Sequence, residues 1–393
     1  MLSYEDALTT LLAAAGAVPA RETLDPARAL GRVLAAPVIS PLAVPPADNS
    51  AMDGYALRIA DLQADVVLPV SQRVPAGSMP APLAAGTAAR IFTGAPIPPG
   101  ANAVVMQERC VVEADRVRVA HTPAAGENIR RVGEDIAAGS EIIGMGTRLT
   151  PAHMGLIASV GMDHIEVFAR LRVAVFFTGD ELVMPGSPLA PGKIYNSNRY
   201  VLLGLLEALG CVISDLGIIP DDLDATRHAL RAAADGSDLV ITCGGVSVGE
   251  EDHVKAALQA EGELQTWRVA IKPGKPFALG RVGATPFIGL PGNPVSSFAT
   301  FQMLVRPYIR RRQGEQDVLP RALSVRADFS WPRAIQQREF LRVRRNAAGG
   351  LILFPRQGSG VLSSCAWADG LVSNPPGQVI QPGDVVQYIP FVD

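Results

Sequence analysis

The chain has 393 residues, 48% of them hydrophobic, and a formal net charge of −3. At roughly 150 residues per domain, that length suggests two or three domains with ample apolar material for packed cores. The small negative charge, with no domain-wide basic excess, argues against a nucleic-acid partner and for a small-molecule role.

The N-terminal stretch MLSYEDALTTLLAAAG reads as a capped helix, with Ser3 at the N-cap, Asp6 three residues on, and Leu8, Leu11 and Leu12 on one face. Its acids stand where a signal peptide would carry bases. ALGRVLAAPVISPLAVPPADNS follows, and its prolines end any helix. Residues 49–129 are rich in Pro, Gly and Val, with a hairpin expected where EAD separates CVV from RVRV. TPAHMGLIASVG then predicts a helix with Thr150 as N-cap, Pro151 at its first position and Gly161 at its end. Residues 1–48 and 130–168 are expected to form one discontinuous mixed domain, with 49–129 inserted as a β domain.

Residues 169–318 alternate strand and helix about every 12–15 residues, the pattern of a parallel, doubly wound sheet. The runs are LRVAVFFTG, SNRYVLLGLLEALG, CVISDLGII, DDLDATRHALRAAADG, SDLVITCGG, EDHVKAALQAEG, ELQTWRVAIKPG, TPFIGLPGNP and PVSSFATFQMLVRPYIRRR. Asn198 is expected near the cap of the first of these helices, and Gly210 at its end. Residues 319–393 read as strands again, in ALSVRADF, REFLRVRRN, LILFPR and GDVVQYIPF, and suggest a small C-terminal β-barrel.

Cys110, Cys211, Cys243 and Cys365 lie far apart with no C-x-x-C, and the five histidines form no ligand-spaced pair. Reduced thiols in a cytoplasmic protein are expected, with no structural zinc and no histidine-bound metal. No apolar run is long enough to span a bilayer, so no membrane partner is expected.

Ligands of open α/β sheets bind beyond the carboxyl ends of the strands. The stretches at those ends are TGDEL (Thr178, Gly179, Asp180, Glu181), Asp221 and Asp222, GGVSVGEED, IKPGKP with Lys272 and Lys275, and LPGNPVSS with Asn293. In GGVSVGEED, three glycines and Ser247 within six residues favour a ligand loop over a turn with capping acids. Asp221 and Asp222 read by themselves as acids opening a helix. Together the stretches imply one pocket in which carboxylates and lysines interleave. A loop that holds phosphate beside acids makes chemical sense if Mg²⁺ sits between them, since Mg²⁺ takes oxygen ligands and shares them with substrate phosphates. Metal-assisted hydrolysis or transfer at a phosphate follows as the reaction class.

Eight stretches in order carry a resemblance across essentially the whole chain: PPADNSAMDGYA, IFTGAPIPPGANAVVMQE, GEDI, FTGDELV, KIYNSNRY, TCGGVSVGEEDHV, IKPGKPFALG and LPGNPVSSFATF. They resemble the molybdopterin molybdenumtransferase (MoeA) family and the C-terminal part of gephyrin. The resemblance implies an elongated four-domain subunit that forms a homodimer. It implies insertion of molybdenum from molybdate into adenylylated molybdopterin, with Mg²⁺-dependent cleavage of the adenylate and release of AMP. The family's functional acids fall on Asp53, Asp135, Glu181, Asp221 and Asp252, with Glu181 and Asp252 expected to hold or orient Mg²⁺. Substrate contacts are expected from Thr93, Thr178, Gly179, Asp180, Gly244, Gly245, Ser247, Gly249, Lys272, Lys275, Asn293, Arg342 and Ser364. Of these, Lys272, Lys275 and Arg342 are candidates for molybdate, a dianion shaped like sulfate. Transient contacts with a molybdopterin adenylyltransferase and with molybdoenzyme maturation proteins are also implied. The chain departs from the family pattern in having Glu250 and Glu251 before Asp252, and Arg268 where lysine is common. The alternatives are a molybdopterin adenylyltransferase, which would leave the β segments unexplained, and a non-catalytic gephyrin-like scaffold; tungstate stands as an alternative to molybdate.

Overall fold

A computed structural model of the chain describes residues 1–16, 20–63, 66–245 and 253–392. Its centre is a six-stranded sheet. Val212–Ile219, Arg172–Thr178, Leu239–Cys243 and Thr285–Leu290 run parallel in that order, and Pro276–Val282 and Gly262–Arg268 extend the sheet antiparallel. The expected all-parallel sheet therefore holds for four strands. Pro276–Val282 forms a hairpin with Thr285–Leu290, because only a few residues separate Val282 from Thr285 and no crossover helix fits there, and Gly262–Arg268 pairs antiparallel on its other side.

Strand alternation explains the two faces. Val173, Val175 and Phe177 point into one core, and Ala174 and Phe176 into another with Leu230, Val254 and Leu258. The N-terminal helix Tyr4–Ala13 joins the first core through Ala7, Leu8 and Leu11. Its predicted cap forms, with Ser3 Oγ accepting from Asp6 N at 3.0 Å. That helix thus joins the core of the α/β segment, packing against the stretch 301–312. The helical stretch after Asn293 runs as Pro294–Thr300, a π-helical turn over Phe301–Val305 and Arg306–Arg312.

Three antiparallel pairs tie the early segment to the middle one: Arg21–Leu24 with Ile165–Phe168, Val38–Ile39 with Glu141–Ile143, and Asn49–Ser50 with Ile129–Arg130. Between them lies a separate six-stranded sheet that includes Gly54–Leu57, Val67–Val74 and the hairpin of Cys110–Glu113 with Arg116–Val119. The capped helix Pro151–Ser159 forms with Thr150 and Pro151 as read.

In the C-terminal sheet, Ile271–Lys272, Arg338–Arg345, Gly370–Asn374, Val385–Pro390 and Leu323–Arg326 follow one another. Leu351–Leu353 pairs with Arg338–Arg345, and a bridge from Ala327 to Leu351 closes the sheet into a barrel. One of its strands, Ile271–Lys272, comes from the α/β segment.

Candidate active site

Loops at the carboxyl ends of the four parallel strands open onto one cavity of about 750 Å³. Thr178, Gly179 and Glu181 come from the first strand in sequence and Asp221 from the second. Gly244 and Gly245 come from the third, and Gly292 and Asn293 from the fourth. The two glycines after Cys243 are required by close packing. Their φ values are +100° and +64°, and a Cβ would lie 2.6 Å from the Thr178 carbonyl at Gly244 and 2.3 Å from Val254 Cγ2 at Gly245.

The neighbouring acids divide their work. Asp222 caps the helix Leu223–Ala234, accepting from Ala225 N at 2.8 Å. Asp221 remains at the cavity and clasps the next loop. Asp180 N donates to Asp221 Oδ2 and Asp221 N to Asp180 Oδ1, each at 3.2 Å. Lys193 Nζ donates to the Asp180 carbonyl, not to a carboxylate, at 2.6 Å. The Glu181 carboxylate folds over Gly179, where a Cβ would sit 2.7 Å from Oε2.

Two buried polar atoms in the cavity wall, Thr178 Oγ1 and Asn196 Nδ2, have no hydrogen-bond partner among the described residues. Leaving a buried donor unpaired costs about 1–3 kcal/mol, which a ligand that pairs with it recovers. Asn196, and not Asn198, caps the helix Ser197–Ala208, accepting from Arg199 N at 3.1 Å. Asn198 sits two residues on and donates Nδ2 to the Gly292 carbonyl at 2.6 Å and to Cys243 Sγ at 3.2 Å, joining three loops. Neither asparagine was among the expected site residues; the signal was the Asn-Ser-Asn at the start of the helix. Burial pushes the Cys243 thiol up to about 11, against smaller opposing effects of Ser297 and Asn198. It is therefore a protonated wall group.

A second cavity, about 360 Å³, is lined by Lys272, Arg333, Arg342 and Arg356, with Glu339 the carboxylate of its lining. Lys272 reaches it because Ile271–Lys272 pairs with Arg338–Arg345 in a register that sets Lys272 opposite Glu339. Lys272 Nζ lies 3.2 Å from Glu339 Oε1, and Trp331 Nε1 donates to Glu339 Oε2 at 2.6 Å. Arg342 is 1% exposed. It donates to Ser364 Oγ at 3.1 Å and to the carbonyls of Phe340 and Gly358 at 3.1 and 3.3 Å. Burial pulls its guanidinium down to about 10, opposed by Cys365 and Glu339.

The expected single pocket of interleaved acids and lysines is thus two cavities of opposite charge. They are neighbours: Pro273 and Gly358 line the basic one, Pro276 and Gly360 the acidic one. Lys275 is exposed and lines neither. Asp53, Thr93 and Asp135 also lie outside both linings. Asp53 Oδ1 accepts from Thr93 N at 2.7 Å and Thr93 Oγ1 at 2.8 Å. These two bonds, the backbone one first, hold the Asp53 carboxyl below its ordinary range. Asp135 is exposed, its N–H donating to the Val44 carbonyl at 3.0 Å. Ser247, Gly249, Glu250, Glu251 and Asp252 lie outside the described residues.

Three family models match in succession: "MoeA N-terminal region (domain I and II)" over residues 2–161, "Probable molybdopterin binding domain" over 174–311, and "MoeA C-terminal region (domain IV)" over 324–391. A molybdopterin molybdenumtransferase of Haemophilus influenzae is 42% identical over 345 residues, covering 87% of this chain and 85% of that one. The chain belongs to the molybdopterin molybdenumtransferase family. A relative of the same name from Synechococcus elongatus is 37% identical over 96% of both chains. The crystal structure of a molybdopterin biosynthesis MoeA protein from Pyrococcus horikoshii superposes over 100% of both chains with a TM-score of 0.88 and 28% identity. Among the described residues, no helix is long and apolar enough to cross a membrane.

Proposed function

We propose that the chain is a molybdopterin molybdenumtransferase that takes adenylylated molybdopterin and molybdate, and releases AMP and the molybdenum cofactor. The observation that carries this reading is the pairing of an acidic cavity at the strand ends with a basic cavity next to it, in a chain of this family. A pterin phosphate needs donors, which Thr178 Oγ1 and Asn196 Nδ2 supply from the cavity wall beside the close-packed Gly244–Gly245 backbone. A tetrahedral dianion needs fixed cations without competing carboxylates, and Arg342 meets that need: its partners among the described residues are neutral oxygens.

Mg²⁺ fits the acidic side. The donors there are the carboxylate oxygens of Glu181 and Asp221. That suits an ion held by one or two carboxylates plus substrate oxygens and waters. Glu181 and Asp221 would hold or orient it, with Asp252, outside the described residues, the further candidate. When bound, Mg²⁺ would neutralise charge on the phosphates and polarise the bond to AMP. The Asp180–Asp221 clasp keeps two of the acid-bearing loops in register, and Cys243 and Asn198 floor the cavity. Asp53, Thr93 and Asp135 lie outside this cavity, which suits a second subunit presenting them in a homodimer.

The test is release of AMP from adenylylated molybdopterin with Mg²⁺, with and without molybdate. Molybdate-dependent release is expected, with tungstate as a parallel arm. Release that ignores molybdate would support an adenylate-cleaving activity alone. No release from the folded protein would favour a scaffold.

A further inference from the structure

Two clefts of about 270 and 480 Å³ adjoin away from both cavities, where the N-terminal segment meets the α/β sheet. Arg32 and Arg170 line both; Arg148 lines the first, and Arg28 and Arg172 the second. The lining carboxylates are Glu22 and Glu207. Cations therefore predominate, in a chain whose net charge is −3.

Three of the five guanidiniums are committed. Arg172 makes a two-pronged pair with Asp238, at 3.2 and 2.9 Å. Arg148 binds Glu315, which it shares with Arg310, and donates to Gln313 Oε1 and the Gly31 carbonyl, each at 2.6 Å. Arg32, 8% exposed, pairs with Glu22 and donates to the Phe168 carbonyl at 2.7 Å. The other two are not. Arg170 donates to the Gly210 carbonyl at 3.1 Å, an approach that works because Gly210 lacks a Cβ, which would lie 3.3 Å from Nη1. Among the described residues, neither Arg170 nor Arg28 has a carboxylate within ion-pair distance. Arg28 is presented at the end of the short 3₁₀ turn Pro26–Arg28, which Asp25 caps.

Guanidiniums present planar forks that match phosphate oxygens, and a cleft walled by one sign of charge focuses the field on an anion. Together the clefts have room for a ligand between a free phosphate and a mononucleotide. We propose that this cleft binds a small, multiply charged phosphate compound, gripped by Arg28 from the N-terminal segment and Arg170 from the α/β side, with buried Arg32 behind them. The site is separate from the reaction cavities and does not rest on the activity assigned to them.

The experiment is calorimetric titration of the full chain at low salt with pyrophosphate, with inorganic phosphate and AMP as further arms. Saturable binding is expected, weakened at least tenfold in Arg28→Ala/Arg170→Ala, since each lost charge-assisted contact is worth roughly a factor of ten. Glu22→Gln, which frees Arg32, should tighten binding, a gain that misfolding cannot mimic. Tighter binding of AMP would assign the phosphate to a nucleotide, and tighter binding of pyrophosphate to free phosphates. No saturation by about 10 mM of any arm, or equal affinity in the double variant, would overturn the proposal.

Discussion

Lys272→Ala separates what the lysine does for the substrate from what it does for the fold. Its ammonium lies 3.2 Å from Glu339, whose side chain is 2% exposed while that of the lysine is 42% exposed. A half-exposed pair is itself worth at most about 1 kcal/mol. Removing the lysine leaves a buried carboxylate with Trp331 as its hydrogen-bond donor, and an under-satisfied buried acceptor costs about 1–3 kcal/mol. The single variant should therefore lose roughly 1–2 kcal/mol to urea unfolding. In Lys272→Ala/Glu339→Gln the buried charge is gone, and most of that loss should return. If Lys272 contacts molybdate, the same two variants behave alike in catalysis. Each loses one charge-assisted contact, so the molybdate concentration for half-maximal AMP release should rise about 10- to 100-fold in both. The assay is urea unfolding followed by circular dichroism, beside AMP release over a molybdate series. A double variant that regains molybdate response together with stability would refute the assigned contact and leave Lys272 a purely structural cation.

Asp221→Asn keeps an oxygen to accept from Asp180 N but removes the charge; AMP release should fall by about 10²-fold or more while the unfolding midpoint stays put. Thr93→Ala should raise the Asp53 pKa toward its ordinary value, visible by carbon NMR of labelled aspartate. In the native protein that carboxyl is depressed, so its stabilisation is present above the unfolded pKa and is lost as pH falls through the lower folded one. An unchanged titration in the variant would remove the Thr93 hydroxyl as a cause and leave the backbone N–H, which alanine keeps. Gly245→Ala should destabilise by about 1–3 kcal/mol, because a Cβ there meets Val254 and Thr178 at positive φ. Burial raises the thiols of Cys110 and Cys243 to about 11 and of Cys211 to about 12. Iodoacetamide at pH 8 should therefore label them at least about a hundredfold more slowly in native than in urea-unfolded protein.

Local signals carried much of the architecture. Ser3, Thr150 and Pro151 announced helix starts because caps act within one turn, and continuous apolar runs announced the strands of the central sheet, which is buried on both faces. Long-range pairing was another matter. Nothing near IKPGKP says that Ile271–Lys272 leaves the α/β sheet to pair with Arg338–Arg345, about 65 residues on in the chain. The lysines therefore looked as though they shared a pocket with the acids. The Asp221–Asp222 pair was ambiguous for a related reason: adjacent acids at a helix start are equivalent in sequence, and the backbone direction gives one the cap and the other the cavity. Asn196 and Asn198 show the same limit in amides, since a shift of two residues in the helix start exchanges cap and wall.

The separation of charge between the cavities follows from what each side must hold. Were Lys272 and Arg342 in the wall with Glu181 and Asp221, each lysine or arginine would pair with a carboxylate a few ångströms away, and the site would be neutral toward both a dianion and a divalent cation. Placing the cations on a strand of the barrel and the acids at the ends of the α/β strands keeps both fields available, across the two segments 273–276 and 358–360 that border the two cavities. Glu339 is the one carboxylate on the basic side, and its register opposite Lys272 makes it the partner that a bound dianion has to outcompete. The competition is mild where it occurs, because Lys272 is half exposed and Trp331 already satisfies the other Glu339 oxygen. Arg342 feels the Glu339 charge only at a distance and hydrogen-bonds neutral oxygens, so the fixed cation of the pair is the buried one and the exchangeable cation is the one at the rim.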